Sequence, residues 1–273
     1  MEMWKQIYGK YRVPEGIRQL FQLETELQEE GYSLATVWLR LEKTNFRYFI
    51  TPPDLITFTS TGGDGIHFGF LTDFGQVEDL EEAYIVCVSP TNDPPLKIVA
   101  RNLHEFLRLV YTAKDVESLD HIEQLENEEE FFRELYKEIW EGDFGHKADI
   151  IMEKLRDKFQ LQPIDKPFSY VNNVRRERAQ LLALTTLDGI GVLKKGKDMA
   201  TKRYDFKIPK DIENMREFLQ KSSWEEKLGF FRDAYYSYLL VEGYDIDVKN
   251  LVLEEMNRMG LKDEVCRMTL PDF

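Results

Sequence analysis

The chain is poor in the residues that build dedicated chemistry. Of 273 residues only two are cysteine, Cys87 and Cys266, in opposite halves. There is no C-x-x-C pair, so no disulfide framework is expected, and a small buried thiol at Cys87 fits a reducing compartment. Histidine occurs four times, at 67, 104, 121 and 146. The run His104-Glu105-Phe106-Leu107-Arg108 opens like a zinc-protease helix but places Arg108 where the second imidazole belongs. No metal and no cofactor is expected. No G-x-S-x-G elbow for a hydrolase nucleophile occurs. The longest apolar run, Ala83 to Val88, is far short of the ~20 residues that span a bilayer. Met1 to Gln6 shows no apolar signal core, so a soluble, unprocessed, cytoplasmic chain is expected.

Positive charge is short as well. Lys and Arg total 36 against 50 Asp and Glu, a net charge of −14. Affinity for nucleic acid comes mainly from cations that neutralise phosphates, and anionic membrane surfaces ask for the same. Both partners are therefore disfavoured, and a basic protein partner is the better electrostatic match.

What the chain does hold is packing material. Eighteen Phe, 13 Tyr and 4 Trp are ample for folded cores, and the length suits two domains. Residues 14–31 read as a helix opened by Pro14 and closed by Gly31. Strands are expected at 34–41, 46–50, 66–72 and 83–88. Leu103, Phe106, Leu107, Val110 and Tyr111 then follow helical spacing. The order helix, strands, helix indicates an α+β fold with a mostly antiparallel sheet at 1–116. From Asp115 to Phe132 there is no Lys or Arg, while Glu117, Asp120, Glu123, Glu126 and Glu128 to Glu130 are all acidic. An acidic linker is expected at 117–130, followed by a mainly helical domain at 131–273. Its helices are expected at 132–142, 147–160, 172–187, 211–221, 224–242 and 246–259, with a hairpin within 189–209. That hairpin segment carries Lys194, Lys195, Lys197, Lys202, Arg203, Lys207 and Lys210, most simply a counterweight to the surrounding carboxylates, with contact to nucleic-acid phosphate as the alternative.

The densest local signal is TPPDLITFTSTGGDGIHFGFLTDFG, residues 51–75. Gly62, Gly63 and Gly65 surround Asp64, but the Lys-Ser/Thr of a phosphate loop and the oxygen ligands of a calcium loop are both missing. Glycines beside an aspartate are suited to positive φ, so a tight turn feeding a strand is expected. In that strand Ile66, Phe68 and Phe70 share one face, and His67 is expected on the solvent side or satisfying a turn. A hydrolase using His67 with Asp64 or Asp73 as acid–base pair is the alternative.

Residues 34–111 resemble the SUKH superfamily, which includes bacterial toxin-immunity proteins and relatives of a yeast cell-wall-synthesis regulator. The similarity lies in Thr51-Pro52-Pro53-Asp54 leading to Phe58, Thr61-Gly62-Gly63-Asp64-Gly65, His67-Phe68-Gly69-Phe70-Leu71, Ile85 to Pro90, and the helix bearing Phe106-Leu107. The resemblance implies an α+β fold and a non-enzymatic role, neutralising a toxin by covering its working surface. The residues expected to face a basic partner, such as a toxin or nuclease, are Asp54, Asp64, His67, Phe68, Asp73, Glu78, Asp79, Glu81 and Glu82. Aromatic anchors such as Phe68 or Tyr84 would add packing.

Overall fold

A computed structural model describes residues 2–122, 125–137, 143–195, 202–239 and 244–269. The fold is α+β, with a sheet in the N-terminal part and helices in the C-terminal part. Two helices, α1 (Glu2–Tyr8) and α2 (Glu15–Glu29), precede a five-stranded antiparallel sheet of order β1-β2-β3-β4-β5. Its strands are β1 (Arg40–Leu41), β2 (Leu55–Ser60), β3 (His67–Leu71), β4 (Ile85–Val88) and β5 (Leu96–Ala100). Helix α3 (Leu103–Ala113) follows, its first turn capped by Asn102 accepting the N–H of Glu105. Then come α4 (Glu128–Lys137), α5 (Asp143–Phe159), α6 (Pro167–Leu181), the ribbon β6 (Leu182–Leu184) and β7 (Val192–Leu193), α7 (Ile212–Lys221), α8 (Trp224–Ala234), α9 (Ile246–Arg258) and α10 (Lys262–Thr269).

Several elements differ from expectation. Residues 34–37 form a 3-10 turn ended by Trp38 in the left-handed region, so only Arg40–Leu41 of the expected strand pairs. Residues 46–50 are irregular and form no strand. The hairpin falls earlier, at 182–193, because α6 ends at Leu181. Ile139, Trp140, Gly142 and residues 196–201 lie outside the described residues.

Both faces of the sheet are covered. Ile56, Phe58, Phe68, Phe70 and Ile85 pack with α2 and α3, while Leu55, Leu71, Val86, Val88 and Ile98 pack with Val174 of α6 and with Ile190. An antiparallel sheet with two dry faces is buried at every position, and β2 through β5 are so without exception. The apolar core also runs past residue 116. Ile151 and Leu155 of α5 and Val171 of α6 belong to the same cluster as α2 and α3. Within the expected linker, Leu119, Asp120 and Ile122 are buried. A second cluster joins α7, α8, α9 and α10 through Met215, Leu228, Phe230, Phe231, Val252 and Met268. No helix among the described residues is long and apolar enough to cross a membrane.

Candidate functional site

The glycine segment is a turn between β2 and β3. Gly62, Asp64 and Gly65 all have positive φ, and Tyr48 and Pro90 lie where a Cβ on Gly65 would have to go. Asp64 is exposed at its tip.

His67, the first residue of β3, is 0% exposed, so of its two expected placements it takes the one that satisfies the turn and not the one on the solvent side. Alternation alone places it opposite Phe68, but a sheet covered on both faces has no wet side there. Phe46 stands edge-on to its ring at 5.4 Å and Tyr48 stacks at 6.0 Å. Its Nδ1 lies 2.7 Å from the Gly65 carbonyl. A carbonyl can only accept, so Nδ1 carries the proton and Nε2 accepts from Thr51 Oγ1 at 2.9 Å. Thr51 Oγ1 in turn accepts the Tyr48 N–H. Burial pulls the imidazole down to about 4, and the nearby Arg47 guanidinium adds to this. A hydroxyl on an imidazole nitrogen has the spacing of a nucleophile–base pair. Thr51 and His67 are both 0% exposed, however, so no substrate can meet them. Neither ring nitrogen bonds Asp64 or Asp73, and the hydrolase geometry is therefore not assembled.

Asp54 and Asp73 are also inside, at 0% and 2% exposed, and Phe68 is 0% exposed. These three residues and His67 do not face a partner, contrary to the sequence expectation; Tyr84 is half-buried. The two aspartates sit in the loops that lead into β2 and out of β3, at one end of the sheet, where arginines from the C-terminal half bind them. Arg178 of α6 forks onto Asp73, Nη2 to Oδ1 at 2.6 Å and Nη1 to Oδ2 at 3.1 Å, and Nε donates to the Ile190 carbonyl. Arg232 of α8 bridges Asp54 and Asp188. Arg267 of α10 donates from Nε to the Pro53 carbonyl at 2.6 Å. Burial pushes the Asp54 carboxyl up to about 6, and Arg232 only partly offsets this. Arg232 is held above the ordinary guanidinium range, because the nearby Asp54, Asp188 and Asp73 outweigh its own burial.

None of these arginines was singled out from the sequence. Arg232 alone carried a signal: with Asp233 it interrupts the apolar run Phe230-Phe231 to Ala234, and a charge in such a run needs a buried partner.

The exposed members of the expected set are Asp64, Glu78, Asp79, Glu81 and Glu82. Four of them form a ridge on the β3–β4 connection. Asp79 Oδ1 accepts the Glu81 N–H at 3.0 Å, starting a 3-10 turn at Leu80–Glu82. Glu81 Oε1 accepts the N–H of Glu15 at 2.7 Å, which fixes the ridge to the first turn of α2. Among the described residues, Glu78 and Glu82 have no ion-pair partner. In the basic segment of the C-terminal half three exposed cations meet groups of their own chain: Arg203 pairs with Asp233, Lys210 with Asp245, and Lys195 lies over the Trp224 ring. Among the described residues, no group of three or more His, Cys, Asp or Glu is placed to hold a metal ion. No protein-family model matches this chain, and no curated protein matches it.

Proposed function

We propose that the chain is a non-enzymatic protein-binding module of the toxin-neutralising kind, which presents the ridge Glu78–Glu82 to a basic protein. The observation that carries this reading is the contrast in how carboxylates are used. Asp54, Asp73 and Asp188 are consumed by buried arginines, whereas the ridge carboxylates stand exposed on a connection anchored to α2. A fixed acidic projection on a chain of net charge −14 speeds encounter with a basic surface and rejects acidic ones. The resemblance of residues 34–111 to toxin-immunity proteins points the same way.

The test is capture of a partner from the producing cells, followed by association kinetics at about 0.05 M and about 0.5 M salt. The expected on-rate falls at least about tenfold at the higher salt, and it falls comparably in the variant Glu78→Lys/Glu82→Lys. An on-rate indifferent to both changes rules the reading out.

A further inference from the structure

The cleft between α1, the chain that follows β1, and α10 takes no part in the reading above. It encloses about 780 Å3, within the roughly 300–1,000 Å3 typical of small-molecule sites. Three cations line it, Lys5, Lys10 and Arg267, against one carboxylate, Asp263. That carboxylate is turned to the backbone. Its Oδ2 accepts the Lys10 N–H at 3.2 Å, and it sits over Gly9 so closely that a Cβ there would stand 2.9 Å away.

Arg267 is 3% exposed and is fixed by the Pro53 carbonyl at 2.6 Å and by buried Glu264 at 3.4 Å. Its guanidinium is thus in place before any ligand arrives, which removes an ordering cost. Lys5 and Lys10 have no ion-pair partner among the described residues. Lys10 Nζ rests 5.2 Å from the centroid of the Tyr11 ring, and both lysines offer aliphatic stems as well as charge. Gln6, Thr44 and Asn45 add neutral hydrogen-bonding groups to the wall.

We propose that this cleft binds a phosphate monoester carried on an aromatic or aliphatic body. Arg267 is already paired with Glu264, so the charge offered to a ligand is that of Lys5 and Lys10. Two ammonium groups beside a fixed guanidinium suit a group of about −1.5 to −2 charge better than a monoanion. The stems of the lysines take the apolar body. The proposal is independent of the acidic ridge.

Cys266 supplies the readout, since it is exposed on the cleft wall while Cys87 is buried. A neutral disulfide reagent should label Cys266 in the whole chain. Phenyl phosphate and adenosine monophosphate should slow that labelling saturably, benzoate should act at least about tenfold more weakly, and phenol should have no effect. In Lys5→Glu/Lys10→Glu, labelling without ligand is expected to persist and protection to vanish. Lys5→Gln, a milder change at an exposed position, should weaken protection even if the double reversal disturbs α1. The proposal is overturned if neither phosphate protects at about 10 mM, if benzoate protects equally well, or if protection survives in the variants.

Discussion

Arg232 and Asp54 meet in the interior although 178 positions separate them in the chain. The same guanidinium reaches Asp188 Oδ2 at 3.0 Å and lies 5.1 Å from the centroid of the Phe74 ring. One arginine of α8 therefore bridges two carboxylates, one on each side of the seam between the sheet and the C-terminal helices. Removing it strands both charges away from water. Arg232→Leu is expected to cost about 3–5 kcal/mol in urea unfolding. Lys221→Ala, which breaks the exposed pair with Glu217, should cost no more than about 1 kcal/mol. Equal effects from the two would show that the seam is not held this way.

Asp54 and His67 titrate in opposite senses. Asp54 rises from 3.8 to about 6 on folding. Its stabilising contribution is therefore complete below the unfolded value and is lost as pH rises through about 6. His67 falls from 6.5 to about 4. Its contribution is complete above the unfolded value and is lost as pH falls through about 4. The two windows overlap between pH 4 and 6, each worth roughly 3 kcal/mol across its span. The slopes oppose and largely cancel in the parent chain. Relative to the parent, Asp54→Asn should gain stability as pH rises through this window, and His67→Gln should lose it. Urea midpoints at three pH values measure both slopes, and a variant that tracks the parent at all three removes that residue from the account.

The turn between β2 and β3 is expected to be sensitive at one glycine and indifferent at its neighbour. Gly65 has φ +70°, and the Tyr48 ring stands 2.9 Å from where a Cβ would lie. Gly63 has nothing within 4 Å and no positive φ. Gly65→Ala should lose about 1–3 kcal/mol through strain, while Gly63→Ala should stay within about 0.5 kcal/mol of the parent or gain slightly. Thermal unfolding of the two variants decides it.

The elements legible in the sequence are those whose pattern is local. Helix α3 shows its apolar stripe and β4 its continuous apolar run, and both are where expected. Residues 46–50 are as apolar and aromatic as a strand, yet Phe46 and Tyr48 spend their rings against His67 and their backbone joins no ladder. Strand β5, Leu96–Ala100, was hidden by Lys97, its second residue, of a type that normally marks a solvent face. The outward placement of His67 failed because Phe46, Tyr48 and Thr51, on the irregular segment before β2, close over its ring. On the same face of the sheet α6 and Ile190, more than a hundred residues downstream, cover Leu55 and Leu71. Partners so distant leave no local trace: nothing in the sequence marks Arg178 for Asp73, and the apolar run around Arg232 calls for a buried partner without pointing to Asp54. The exposed acidic ridge was legible because only its own composition was needed.

Asp120 decides how firmly the acid-rich segment is attached. Its Oδ1 and main-chain carbonyl accept from Lys97 Nζ at 2.8 and 2.7 Å, and Oδ2 accepts from Ser89 Oγ and Asn92 Nδ2. Lys97 and Asp120 are 3% and 1% exposed, so the pair is sealed beneath β4 and β5. Asp120→Ala leaves an ammonium buried against apolar strands and is expected to cost about 3–5 kcal/mol. Lys97→Met/Asp120→Ala removes that uncompensated charge and should recover a good part of the loss, since an apolar replacement of both partners is close to neutral. Limited proteolysis adds a second readout: 115–122 should resist cleavage in the parent and become a preferred cut site in Asp120→Ala. A double variant no more stable than the single one, together with cleavage within 115–122 of the parent chain, would show a segment that only rests on the sheet.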